Sequence, residues 1–185
     1  MAKFYQPILE TPRLILKKIS LEDAEDMFEY ARDPEVTKYV SWEYHKSIED
    51  SVKFINLLLS KYANSEPSDW GLYLKENGKL IGTCGYVFID EKNMTGEIGY
   101  VLGKKYWNKG FMTEAVKKVI EFGFEKLNLN RIQARCKVEN IPSERVMQKV
   151  GMKFEGILRE TVFIKGRFWD MKMYSILKRE YELNN

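Results

Sequence analysis

The stretch from Gly96 to Ala115, GEIGYVLGKKYWNKGFMTEA, decides how the rest of the sequence is interpreted. Its pattern predicts a strand, a loop that carries lysine and glycine, and the start of a long amphipathic helix. Such a junction directs backbone N–H groups and the positive end of a helix dipole toward one point, which favours an anion. Lys104, Lys105 and Lys109 add charge that suits phosphate. The first hypothesis is a site for a phosphorylated cofactor, and the alternative is an ordinary turn with a solvated basic loop.

Length and composition indicate one ordinary globular domain. The chain has 185 residues, of which 44% are apolar and 31% are charged. A chain of this length can bury roughly two-thirds of its unfolded surface. A net charge of +3 is too small to favour nucleic acid as a partner. Because no apolar run approaches the roughly 20 residues of a membrane span, and no signal-peptide core is present, we expect no membrane association.

The cysteines and the histidine limit the chemistry of the site. Cys84 and Cys136 lie in apolar, strand-like runs, which favours reduced, buried thiols in a cytoplasmic protein over a disulfide framework. Neither has an adjacent histidine, so a covalent route through a cysteine nucleophile is disfavoured. His45 is the single histidine of the chain, and its irregular surroundings predict a solvated side chain. We expect no metal site.

Hydrophobic periodicity predicts strands and helices along the whole chain. The predicted strands cover Leu14–Lys17, Trp70–Leu74, Leu80–Ile89, Glu97–Leu102, Arg131–Val138, Lys153–Phe163 and Phe168–Leu177. The predicted helices begin at Ser20 and Ser47, run from Met112 to Leu127, and lie between Pro142 and Gly151. Asn77-Gly78 predicts a type I′ hairpin turn, and the segment from Asp33 to Lys46 is predicted to be irregular. This order predicts an α+β fold with a mixed sheet in a single domain.

Three segments carry a resemblance to a known family. They are TPRLILKKI from Thr11, GEIGYVLGKKYWNKGFMTEA from Gly96 and VENIPSERVMQKVGMKFEG from Val138. Together with the order of elements, they resemble the GNAT acetyltransferases, and in detail the Rim-type branch that acetylates N-terminal amines of ribosomal proteins. The resemblance covers residues 11–178 and leaves short termini at 1–10 and 179–185. It implies one GNAT-type domain, with a central, mostly antiparallel twisted sheet flanked by helices, that uses acetyl-CoA and an amine acceptor.

The resemblance places the cofactor site in the loop before the long helix. The family signature Q/R-x-x-G-x-G/A aligns with WNKGFM from Trp107 to Met112; Gly110 matches, whereas Trp107 and Met112 depart from the signature. Gly110 lets the backbone approach a phosphate, and the amides of the next turn are otherwise unpaired. The end of the preceding strand should pair with the pantetheine arm. The predicted cofactor-binding residues are Tyr100, Val101, Leu102, Trp107, Asn108, Lys109, Gly110, Phe111, Met112, Thr113, Asn140 and Ser143. The alternatives are packing for Trp107 and strand termination for Asn140.

The resemblance also suggests the catalytic residues. Acetyl transfer requires removal of the amine proton, and the departing thiolate benefits from a proton. Many family members carry a carboxylate at the position of Glu97, which is therefore the leading base; the alternative is an exposed strand-end glutamate. Met147 stands where many members have a tyrosine, but Ser143 matches the serine assigned as proton donor in the Rim-type branch, although serine also suits a first helical turn. Val162 replaces a second glutamate of that branch, so solvent is the alternative base.

Aromatic residues suggest the acceptor site. In this fold the segment between the first two helices and the last hairpin loop form the acceptor wall. Here they contribute Tyr39, Trp42 and Tyr44, together with the turn Phe163–Trp169. A cation over the Trp42 ring would be stabilised by ~1 kcal/mol. The alternative is that these residues pack locally.

These observations predict an acetyl-CoA-dependent N-acetyltransferase, acting as a monomer or homodimer on the N-terminal α-amine of a protein. The first alternative is acetylation of a small-molecule amine, such as a polyamine, an antibiotic or an amino-acid-like compound, although no acidic cluster suited to a polyamine is evident. The second alternative is a non-catalytic acyl-CoA-binding module, in which the departures at Met147 and Val162 are real losses.

Overall fold

The computed structural model of the chain describes residues 4–183, which are organised around one eight-stranded sheet. Its strands are β1 Leu9–Glu10, β2 Leu14–Lys17, β3 Asp69–Leu74, β4 Leu80–Asp90, β5 Thr95–Leu102, β6 Arg131–Lys137, β7 Lys153–Ile164 and β8 Arg167–Leu177. The spatial order is β1-β2-β3-β4-β5-β6-β8-β7. Neighbouring strands are antiparallel except for β5 and β6, which are parallel. The predicted α+β fold with a mostly antiparallel sheet is confirmed.

Helices cover both faces of this sheet. They are α1 Ala24–Ala31, α2 Pro34–Thr37, α3 Ile48–Ala63, α4 Phe111–Glu125, α5 Ile141–Lys149 and α6 Lys178–Leu183. On one face, α4 buries Val119 in a cluster that includes Trp70 of β3. On the other face, Met27 of α1 and Ile55 of α3 share a cluster with Tyr73 of β3. The alternation of Trp70 and Tyr73 across β3 therefore supplies both halves of the core.

The pairing of β5 with β6 is short, and this positions the site. Thr95–Glu97 pairs with Arg131–Gln133. Beyond these residues, β5 continues to Leu102 beside β4 alone, and β6 continues to Lys137 beside β8 alone. The sheet therefore splits between its two parallel strands, and one edge of β5 faces the gap with backbone groups that need partners.

Two predictions about the segment before α3 were wrong. The segment from Asp33 to Lys46 is not wholly irregular, because it contains α2; the Asp33 carboxylate accepts a hydrogen bond from the Glu35 N–H at 2.9 Å, and Pro34 presets the first turn. His45 is not solvated. It is 8% exposed, its Nδ1 lies 2.8 Å from the Ser51 hydroxyl, and burial lowers the pKa of its imidazole.

The predicted termini 1–10 and 179–185 lie partly outside the described residues, which exclude 1–3 and 184–185. In the described part, Phe4 packs edge-to-face against Trp70, Tyr86 and Phe122. The Trp70 indole also donates a hydrogen bond to the Pro7 carbonyl at 2.7 Å. Residues 4–10 therefore help to cover the sheet face that α4 occupies.

Cys84 and Cys136 are free and buried, as predicted. Burial raises the pKa of both thiols, and it raises that of Cys136 to about 11. Across residues 4–183, no helix has the length and apolar character needed to cross a membrane. The same residues contain no group of three or more histidine, cysteine, aspartate or glutamate side chains that could hold a metal ion.

Candidate active site

A pocket of about 590 Å³ lies at the split between β5 and β6. Its walls come from the end of β5, the loop and first turn of α4, the start of α5 and the segment that includes α2. All predicted cofactor residues except Lys109 line it, namely Tyr100, Val101, Leu102, Trp107, Asn108, Gly110, Phe111, Met112, Thr113, Asn140 and Ser143. The pocket is large enough for part of a cofactor with a long arm.

Gly110 gives the start of α4 the geometry of an anion site. It is the N-cap of the helix and has a φ of +81°, which is a left-handed conformation that favours glycine. No side chain caps the helix. The N–H groups of Phe111, Met112 and Thr113 therefore have no partner within the helix and are available to an anion at its positive end.

Arg13 connects this loop to the first part of the chain. Its backbone N–H and its Nε donate to the two carboxylate oxygens of Glu114 at 2.9 and 2.7 Å, and its Nη1 donates to the Lys109 carbonyl at 2.9 Å. The guanidinium also lies 4.3 Å from the centre of the Phe111 ring. Lys109 thus contributes its carbonyl to this anchor, while its ammonium lies 5.8 Å from the centre of the Tyr106 ring. Sequence reasoning assigned no role to Arg13, since nothing local links it to Glu114.

Trp107 both packs against the core and lines the pocket. Its ring is half-buried against both core clusters, and its Nε1–H donates to the Leu102 carbonyl at 2.7 Å. The side chain therefore holds the end of β5 against the loop. The tryptophan that departs from the family signature thus has a packing role and a hydrogen bond of its own.

Tyr100, Asn140 and Ser143 meet where α5 begins beside β5. The Asn140 side chain accepts from the Ser143 N–H at 3.3 Å and caps α5. The Tyr100 hydroxyl lies 2.9 Å from the Ser143 hydroxyl and 3.0 Å from the Ser143 carbonyl. Burial raises the pKa of Tyr100, so its hydroxyl stays protonated at neutral pH. Two hydroxyl groups therefore form a pair in the pocket wall, and sequence reasoning had selected Tyr100 only for its backbone.

Glu97 lies at the point where the sheet splits but does not line the pocket. Its side chain is buried, its carboxylate forms an ion pair with Arg135 Nε at 2.9 Å, and Gln133 Nε2 donates to it at 2.8 Å. It is not the exposed strand-end glutamate of the alternative hypothesis. It precedes Tyr100 by three residues, which is roughly 10 Å along a strand.

The predicted acceptor residues are separated in the structure. Tyr39 and its neighbour Val40 line the pocket. Trp42 instead packs against His45 and Phe54, with ring centres 5.2 and 6.1 Å apart. Tyr44 is 41% exposed and does not line the pocket.

The turn Phe163–Trp169 contacts the end of α2, next to the segment that carries Tyr39. Lys165 Nζ donates to the Thr37 carbonyl at 2.8 Å, which joins the turn to the segment that carries Tyr39. Two cations already lie on the Trp169 ring, with Arg167 3.3 Å and Lys137 3.8 Å from its centre. Trp169 therefore packs within this turn.

A split pair of parallel strands, followed by a helix start lined with free amides, defines a class of enzymes that transfer an acyl group from coenzyme A. Comparison with known families agrees with this class. Residues 13–153 match the family described as "Acetyltransferase (GNAT) domain". The chain belongs to the GNAT acetyltransferases.

Similar proteins carry related names. The chain is 42% identical over 173 residues to "Uncharacterized N-acetyltransferase p20" of Bacillus licheniformis, which covers 94% of this chain and 97% of that protein. It is 35% identical over 122 residues to "Putative ribosomal N-acetyltransferase YdaF" of Bacillus subtilis, with 66% of each covered. The structure of the microcin C7 self immunity acetyltransferase MccE, in complex with acetyl-CoA and AMP, is similar with a TM-score of 0.81 and 27% identity, covering 90% of this chain and 93% of that one.

The protein is therefore a GNAT acyltransferase that uses acetyl-CoA. Its own residues fit this cofactor. Gly110 and the amides of Phe111–Thr113 suit the pyrophosphate, and the free edge of β5 at Tyr100–Leu102 suits the amide-bearing arm. Bound acetyl-CoA supplies the acetyl group as an activated thioester.

Proposed function

We propose that the protein acetylates the N-terminal α-amine of another protein. The observation that supports this proposal is a single pocket that extends from the cofactor loop at Gly110 to a wall formed by Tyr39 and Val40. An aromatic face and an apolar side chain suit an extended peptide backbone that presents one terminal amine. The similarity to a relative named as a ribosomal N-acetyltransferase supports the same acceptor class.

Ser143 is the proposed proton donor in this reaction. Its hydroxyl lines the pocket, and Tyr100 lies within hydrogen-bond distance of it. When the Tyr100 hydroxyl donates to the hydroxyl oxygen of Ser143, the serine proton is free to point into the pocket. Met147 is fully buried in the core and cannot perform this role. The hydroxyl pair thus provides a donor in place of the tyrosine that Met147 replaces.

Glu97 is the proposed base. Because its carboxylate is buried beside Arg135 and does not line the pocket, it receives the amine proton through water. We expect Glu97→Gln to lower kcat about tenfold at pH 7 without changing the Kd for acetyl-CoA. The defect should shrink at pH 9, because an α-amine with a pKa of about 8 is then already neutral.

The matched control for this substitution is Gln133→Met, which removes one contact to Glu97 and keeps the carboxylate with Arg135. It should retain nearly the wild-type kcat. Rates and melting temperatures are compared across pH. If Glu97→Gln lowers the melting temperature but leaves the kcat of the folded protein unchanged, Glu97 has a structural role and the proposed base is wrong.

The acceptor class is tested with matched peptides. Purified protein and acetyl-CoA are incubated with lysine-free peptides that have a free N-terminus, with the same peptides blocked at the N-terminus, and with a panel of small amines. Release of the CoA thiol and the mass of the product are measured. We expect turnover with the free peptides and none with the blocked ones. Turnover confined to small amines would overturn the proposal.

A small-molecule amine is the second candidate acceptor. The observation that favours it is the similarity to MccE, a self-immunity acetyltransferase for microcin C7 whose structure contains AMP. Amino-acid-like or nucleotide-linked amines therefore belong in the panel. Polyamines are weaker candidates, since Glu35 is the only acidic side chain that lines the pocket within residues 4–183.

We further propose that the protein works in the cytoplasm. Two free, buried thiols support this, because a reducing compartment leaves such thiols unpaired.

A further inference from the structure

The helix α5 divides its charged side chains between two sides. Glu144 faces β8, where Lys172 Nζ lies 2.7 Å and the Tyr174 hydroxyl 2.6 Å from its carboxylate oxygens. Arg145 and Lys149 are exposed and line the pocket. They are four residues apart, so they lie on one face of the helix about one turn from each other. The acidic group of α5 is thus committed to the sheet, and two basic groups are presented to the cofactor.

These two cations have no side-chain partners among the described residues. Within residues 4–183, neither side chain takes part in a hydrogen bond or an ion pair. Many other basic side chains near the site are engaged: Arg13 is bound to Glu114, and Lys105 to Glu29. A pair of unpartnered cations in the wall of a cofactor pocket provides favourable interaction for an anion that comes with the ligand.

Coenzyme A carries more phosphate groups than the first turn of α4 can bind. The amides after Gly110 suit the pyrophosphate, but the ribose of CoA bears an additional 3′-phosphate, which carries close to two negative charges at neutral pH. A second, separate cationic site would stabilise this group. Among the described residues that line the pocket, Lys38, Arg145 and Lys149 are the cations, and only Arg145 and Lys149 are adjacent on one face.

We propose that Arg145 and Lys149 bind the 3′-phosphate of coenzyme A and make the enzyme select CoA over 3′-dephospho-CoA. Arginine suits this group because its planar guanidinium donates two parallel hydrogen bonds, and lysine adds a flexible point charge. Both residues are exposed, so their contribution is moderate and sensitive to salt. The proposal concerns the cofactor alone and is independent of which amine is acetylated.

The test is a thermodynamic cycle in which the 3′-phosphate is removed from the ligand and the two cations are removed from the protein, each separately and both together. Calorimetry measures the Kd of CoA and of 3′-dephospho-CoA for the wild type and for the Arg145→Gln, Lys149→Gln double variant. We expect the wild type to bind CoA roughly tenfold more tightly. In the double variant this preference should fall to about twofold or less, while the Kd for dephospho-CoA stays nearly unchanged. The preference of the wild type should also decrease as salt is raised.

A charge-matched control removes two exposed lysines that do not line the pocket, Lys117 in α4 and Lys126 just after it, by the substitutions Lys117→Gln and Lys126→Gln. This control should keep the wild-type preference for CoA over 3′-dephospho-CoA. That result would show that the effect depends on the two cations of the pocket and not on the net charge of the protein. If the Arg145 and Lys149 variant weakens both ligands equally, the pair binds another part of the cofactor and the proposal is wrong. An unchanged preference in that variant would overturn it as well. Because binding is measured without acceptor, failure here leaves the proposed function untouched.

Discussion

Replacing Gly110 with valine is expected to weaken acetyl-CoA binding about a hundredfold. A β-branched residue at a φ of +81° costs on the order of 2–3 kcal/mol. The loop relieves this strain by leaving the left-handed conformation, and the amides of the first α4 turn then no longer converge. A Cβ at position 110 would stand 3.4 Å from Arg13 Nη2, which is an ordinary contact, so the cost comes from the backbone conformation. Calorimetry with acetyl-CoA measures the loss directly.

Gly78 provides a matched control for this substitution. It has a φ of +74° in the turn between β3 and β4, and nothing lies within 4 Å of the position of its Cβ. Gly78→Val therefore carries a comparable backbone penalty at a site outside the pocket. Both variants should lower the melting temperature, whereas only Gly110→Val should change the Kd. Equal affinities in the two variants would refute the assignment of Gly110 to the phosphate site.

Replacing Ser143 with alanine is expected to lower kcat about a hundredfold, the lower range for loss of a general acid. The Kd for acetyl-CoA should change less than twofold, since the backbone of α5 and the Asn140 cap are kept. Ser143→Thr retains a hydroxyl near Tyr100 and should recover most of the rate. Steady-state kinetics and calorimetry are compared for the three proteins.

Tyr100→Phe gives an independent readout of the same hydroxyl pair. It leaves the Ser143 hydroxyl in place but removes the group 2.9 Å away that orients it. Its kcat should fall less than that of Ser143→Ala, and adding it to the serine variant should lower the rate little further, because the two hydroxyls act as one unit. If Ser143→Ala turns over at the wild-type rate, Ser143 is only a residue of the first helical turn.

Local signals in the sequence predicted most of the fold. The bounds of β2 agree with the prediction, and α3 follows Ser47 as its pattern indicates. The place where α4 begins was also predictable, because Gly110 and the first helical residues lie within one short motif. One local signal was misleading. Asn77-Gly78 does not form a type I′ turn, since Gly78 has a positive φ but Asn77 does not; instead the Gly78 N–H closes a wider turn onto the Leu74 carbonyl at 2.8 Å.

Contacts between distant segments could not be predicted from the same signals. The ion pair of Glu97 with Arg135 depends on the register of two parallel strands, which no turn connects and no local pattern determines. The hydroxyl contact of Tyr100 with Ser143 depends on where the sheet splits. A feature that depends on one residue type at one position, such as glycine before α4, could be read from the sequence. A contact between two distant residues could be recognised only in the folded structure.

The contacts of Arg13 affect when the protein becomes competent to bind its cofactor. They join residues that are 101 and 96 positions apart, so the chain must close a long loop before they can form. During synthesis, the segment that carries Arg13 emerges early and remains without this partner until α4 has been made. A cofactor that binds only the closed loop then favours the fully folded chain by mass action. Acetyl-CoA should therefore protect this part of the enzyme against unfolding.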